Sequence, residues 1–114
     1  VNIFEAEDPK FKKLEYAIFF DQKLEITQVA KLYLEVFKQL FDIQPETFFT
    51  TDLAEKITLT KNPKGGNLRQ ALPINDTYFV EGNIDNIGKF KNIKHALTIF
   101  DSEDELIIKY SEIE

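Results

Sequence analysis

The sequence predicts an α+β domain, with helices packed on a mixed or antiparallel sheet and elements in the order ββ-α-(α)-β-β-α-β. Three observations predict it. Short runs of aromatic and β-branched residues, bounded by turn residues, read as strands. Two longer stretches, Gln28 to Phe41 and Asn86 to Phe100, repeat their apolar residues at helical spacing. The 114 residues, 43% hydrophobic with 11 Phe and 4 Tyr, suffice for one core.

Residues 1–13 are polar and charged, contain Pro9, and read as a linker or lead-in to a single domain over 14–110. Leu14 to Phe20 is expected as a strand. Asp21-Gln22-Lys23 then makes a turn into a second short strand, Leu24 to Ile26, closing a hairpin. Thr27 is placed to cap the helix that follows, its hydroxyl accepting from a free N–H. On that helix Val29, Ala30, Leu32, Tyr33, Leu34, Val36, Phe37, Leu40 and Phe41 sweep an arc of roughly 200°. So wide an apolar arc calls for cover on two sides, by the sheet and by further helices or a partner.

Pro45 suits the first position of a short helix, and Asp52 with Glu55 suggests another helical turn. Ile57 to Thr60 is expected as a strand, followed by a loop at Lys61-Asn62-Pro63-Lys64-Gly65-Gly66-Asn67. Asn75-Asp76 marks a turn before a strand from Thr77 to Glu81. Asp85 or Asn83 can cap the second long helix, which buries Ile87, Phe90, Ile93, Leu97 and Phe100. Leu106 to Ile108 reads as the last strand, before an acidic tail over 111–114.

Composition removes whole classes of chemistry. There is no cysteine, hence no disulfide, thiolate nucleophile or Cys-containing zinc site, and the lone histidine is His95. No apolar run is long enough to cross a membrane as a helix, and no signal peptide is visible, so no membrane partner is expected. A chain that opens on Val1 and contains no methionine is expected to be a segment of a larger cytoplasmic protein.

The net charge of −6 argues against broad binding to a polyanion. It is unevenly spread, however. Residues 1–60 carry 7 Lys against 11 acids, residues 61–100 carry 6 basic against 3 acidic groups, and residues 101–114 carry 1 Lys against 6 acids. The candidate partner-binding residues therefore come from the middle segment: Lys61, Lys64, Arg69, Lys91, Lys94 and His95, with Lys89 as a further cation. Helical spacing sets His95 opposite the apolar stripe, as a solvated residue or a contact to an anionic partner. The Gly65-Gly66 loop lacks the G-x-x-x-x-G-K-[ST] spacing that wraps backbone N–H groups around phosphates. Among carboxylates, Glu81, Asp85 and Glu105 are the ones a hydrolase would need to converge, but Glu105 and Lys109 miss the acid–lysine spacing of restriction-type nucleases. No catalytic, metal or cofactor residues are assigned.

The stretch Tyr78-Phe79-Val80-Glu81-Gly82-Asn83-Ile84-Asp85-Asn86, the helix after it and Glu105-Leu106-Ile107-Ile108 follow a recognisable order. Together with the hairpin Leu14 to Ile26 and the helix from Gln28, they resemble an accessory domain appended to multidomain bacterial proteins of the restriction and phage-defence type. The resemblance covers about residues 14–110. It implies an accessory role in a larger assembly and supplies no catalytic residues.

The function expected from the sequence is that of a non-catalytic interaction module, docking on another domain of its parent protein or on a protein subunit. The alternatives are a nucleic-acid-binding accessory using the 61–95 basic segment, and a carboxylate-dependent hydrolase.

Overall fold

The computed structural model describes residues 1–61 and 68–111. Helices combine with antiparallel sheets, as the α+β reading requires. The order is β1 (Leu14–Phe19), β2 (Gln22–Leu24), α1 (Val29–Ile43), α2 (Glu46–Thr50), α3 (Leu53–Lys56), β3 (Ala71–Pro73), β4 (Phe79–Glu81), α4 (Asn86–Ile99) and β5 (Leu106–Tyr110). The strands form two sheets among the described residues, a three-stranded one ordered β2-β1-β5 and a two-stranded β3-β4 pair.

β1 and β2 pair antiparallel with Phe19 opposite Gln22, so the turn is Phe20-Asp21 and not Asp21 to Lys23. Both turn residues have positive φ, 51° and 66°, the handedness that suits a two-residue hairpin on twisted strands. That turn draws β2 back to Gln22–Leu24, short of the expected Leu24 to Ile26. Thr27 does not cap α1. Its carbonyl instead accepts from the Leu14 N–H at 3.2 Å, and the N-cap is Gln28, which makes no side-chain capping bond.

Residues 1–13, expected as a lead-in, are built into the fold. Asn2 bridges Ile107, the Ile3 N–H donates to the Leu106 carbonyl, and Val1 exchanges bonds with Ile108. The free edge of β5 is thus covered, and Ile3 and Pro9 are buried.

α1 lies between β1 and α4, which explains its wide apolar arc. Val29, Leu32, Tyr33, Val36, Phe37, Leu40 and Phe41 are all buried. Edge-on aromatic contacts run from Tyr33 to Phe37 (4.8 Å) and from Phe41 to Phe48 (5.1 Å), extending the core into α2.

The expected strand Ile57 to Thr60 is reduced to one bridge, Thr60 to Phe79. The way α3 ends is the reason. The Leu59 N–H reaches the Ala54 carbonyl at 2.8 Å and the Thr58 N–H reaches Glu55 at 3.2 Å, with Thr58 at φ 53°. This is a Schellman ending, and it turns the chain before a strand can start. α4 stops in the same way, with Asp101 at φ 55°, Ser102 N–H on the Leu97 carbonyl and Asp101 N–H on Thr98.

β3 was not foreseen. It forms a hairpin with β4 through a turn in which the Asn75 side-chain oxygen accepts from the N–H groups of Thr77 and Tyr78. Gly82 follows β4 because a Cβ there would lie 2.4 Å from Leu72 Cδ1 of β3.

Candidate interaction surface

Within the segment 61–95, one cation, Lys89, is taken out of reach of a partner. Lys64 and the Gly65-Gly66 loop lie outside the described residues. Lys89 is buried, at 5% exposure, and its ammonium donates to the carbonyls of Gly82 (3.2 Å) and Ile84 (2.7 Å). Burial holds its pKa below the ordinary lysine value. It ties the β4–α4 connection together and is withdrawn from any phosphate. Lys61 leaves beside Phe79 at the start of β4, while the Arg69 backbone is anchored on Glu81 at its end. Lys91 and Lys94 stand on the outer side of α4, one turn before and next to His95.

His95 is not simply solvated. Its Nε2 lies 2.8 Å from Asp52 Oδ1, joining α4 to the start of α3. This hydrogen bond lowers the Asp52 pKa, and Asp52 makes no side-chain cap on its own helix. One turn earlier, the Asn92 amide donates to the buried Tyr33 hydroxyl at 3.0 Å. Burial raises the Tyr33 pKa to about 12, against the opposing effect of the Asn92 bond.

The three candidate acids have separate duties or positions. Glu81 accepts from the backbone N–H groups of Arg69, Gln70 and Asn83 at 2.8–2.9 Å, and these bonds lower its pKa. Asp85 caps α4 by accepting from the Gly88 N–H at 2.7 Å. Glu105 precedes β5, in the other sheet. No group of three or more His, Asp or Glu among the described residues is arranged to hold a metal ion.

A different surface is more unusual. In Lys10-Phe11-Lys12-Lys13, the Phe11 residue is 92% exposed and has φ 63°. A bulky side chain at positive φ is a steric outlier, and an aromatic ring in water forgoes its burial energy. The loop is nevertheless firmly held. Pro9 is buried, the Lys12 N–H closes a turn onto the Pro9 carbonyl at 3.0 Å, and the Ser111 N–H bonds the Lys13 carbonyl at 2.8 Å. The Tyr110 hydroxyl donates to the Glu7 carbonyl, and Lys12 lies 5.4 Å from the Tyr110 ring centre. Burial, with Asp8 and Glu7 nearby, raises the Tyr110 pKa to about 12.

Two other exposed apolar side chains, Phe49 and Ile107, are better accounted for. Phe49, 54% exposed, stacks on Tyr78 at 5.8 Å and Phe41 at 6.2 Å. Ile107 lies on the outer sheet face opposite Ile18 of β1. The four-residue run of three lysines around a phenylalanine was the available signal in the sequence, hidden because the segment reads as a lead-in.

Comparison with known proteins finds no matching family model, no matching curated protein and no matching solved structure.

Proposed function

We propose that the chain is a non-catalytic accessory module of a larger intracellular bacterial protein, docking on another domain of that protein or on a separate subunit through the Lys10–Lys13 loop. The observation that carries this reading is Phe11, a fully presented ring at positive φ on a loop anchored from both ends. An exposed aromatic on a rigid support loses little conformational entropy when a partner covers it, and aromatic anchors supply much of the energy of protein interfaces. The employment of Glu81 and Asp85 in backbone bonding supports the non-catalytic part, and the burial of Lys89 weakens the nucleic-acid alternative.

The test is a photo-crosslinking amino acid placed at position 11, and separately at position 49, in the full-length protein in its native cells. Position 11 is expected to crosslink to a defined segment of another domain or subunit. Crosslinks from position 49 with none from position 11 would sink the proposal.

A further inference from the structure

We infer that the surface around Phe11 receives a short acidic peptide segment of a protein partner, which seats one large apolar side chain beside Phe11 and Ile87 and sets its carboxylates on Lys10, Lys12 and Lys13. The inference rests on the docking reading above and names the chemistry of the partner.

Phe11 forms one wall of a surface cleft of about 300 Å³, completed by Lys10, Asp85, Asn86 and Ile87. Ile87 belongs to α4 but is only half-buried, so its apolar surface is turned to this cleft and not spent in the core. The cleft has room for one large side chain between two apolar walls. Asn86 also lines a second hollow of about 280 Å³, whose walls include Lys12 and Lys13. A segment laid across Asn86 would meet an apolar seat first and lysines on either side.

Charge favours an acidic occupant. Among the described residues, Lys10 and Lys13 have no carboxylate within 4.0 Å, and Lys12 has only the exposed Glu7 at 3.4 Å. An ion pair of that kind is worth little and exchanges readily for a better partner. Asp85, the acid in the cleft wall, caps α4 through the Gly88 N–H, and the helix N-terminus offsets part of its charge. Lys10 stands 5.3 Å from the Phe11 ring centre, so cation and apolar seat adjoin.

The same charges favour a short segment over an extended polyanion. The chain as a whole carries −6, and Glu5, Glu7 and Asp8 lie just before the loop in sequence. With a screening length of about 8 Å at physiological salt, three lysines attract carboxylates placed within a few residues of one another. A nucleic acid or an anionic membrane spreads its charge over a far wider footprint and meets the acidic remainder.

The test uses the intact chain and a short fluorescent peptide of glutamates around a central leucine. Two control peptides replace the leucine by serine or the glutamates by lysine. The first peptide is expected to bind at least about tenfold more tightly than either control, and to lose about tenfold in affinity with Phe11→Ser and with Lys10→Glu combined with Lys13→Glu. Equal binding of the three peptides, or binding untouched by Phe11→Ser, would overturn the inference. So would tighter binding, through the same lysines, of a labelled oligonucleotide or of phosphatidylserine vesicles. The crosslinks from position 11 separate the two readings: a neutral or basic target segment sinks the acidic partner and leaves docking intact, while no crosslink sinks both.

Discussion

Glu81 shows how one side chain can organise a junction. Its two oxygens take three backbone N–H groups from two separate stretches, Arg69-Gln70 before β3 and Asn83 after β4. Only the carboxylate accepts all three, so the folded state favours ionisation and the pKa falls below the ordinary 4.5. A group whose pKa is lower folded than unfolded stabilises the fold fully above its unfolded value. That stability is lost as pH falls through the lowered folded value, because the unfolded chain then binds more protons. The urea midpoint should therefore drop as pH is taken below 4.5, and Glu81→Gln should flatten that drop. Parallel urea melts of both proteins between about pH 6 and about pH 3 check it; equal slopes would mean the carboxylate is not anchored in solution. Asp52, lowered by His95, acts in the same acid limb and is expected to remain in the Glu81→Gln profile.

At the scale of elements, α1 is the centre of the molecule. Phe37 is fully buried between Tyr33 and Phe48, with ring centres at 4.8 and 6.2 Å, so it couples α1 to α2 as well as to the sheet side. Phe37→Ala is expected to cost about 3–5 kcal/mol in a urea melt. A loss under about 1 kcal/mol would show that the ring is not packed as described. The arc of apolar residues on α1 was legible in the sequence because a 3.6-residue period survives any tertiary context. So were the Asp85 cap and β5, which depend on local chemistry. The turn at Phe20-Asp21 was not, because neither residue is among the Asn and Gly that usually take positive φ. Nor was the loss of Ile57 to Thr60 as a strand, since Thr58 is β-branched and gives no sign of a left-handed helix ending. The candidate surface was hidden for a different reason. Whether a lysine run is a lead-in or a fixed loop depends on contacts made roughly a hundred residues away, at Tyr110 and Ser111.

For the whole molecule, the strand edges are the feature with the widest reach. β5 is covered by residues 1–3 and β4 by Thr60, which leaves β2 and β3 as the open edges among the described residues. β2 is only three residues long and carries Lys23 at its middle. On β3, Leu72 lies opposite Val80 between the bonded pairs Gln70–Gly82 and Ile74–Tyr78, so Ala71 and Pro73 turn their backbone groups outward. Pro73 has no N–H to offer there. Neither edge is a template for another chain to extend, which is how natural sheets avoid joining edge to edge. The protein should therefore tolerate the crowding of a concentrated solution, or of several copies held close in one assembly, without seeding fibres. Pro73→Val restores the missing donor on a flat apolar edge. Light scattering across a concentration series is expected to show a constant mass for the parent chain and growing association for the variant. If the variant stays as monodisperse as the parent, protection comes from elsewhere on the surface, and the proline is there for its fixed φ alone.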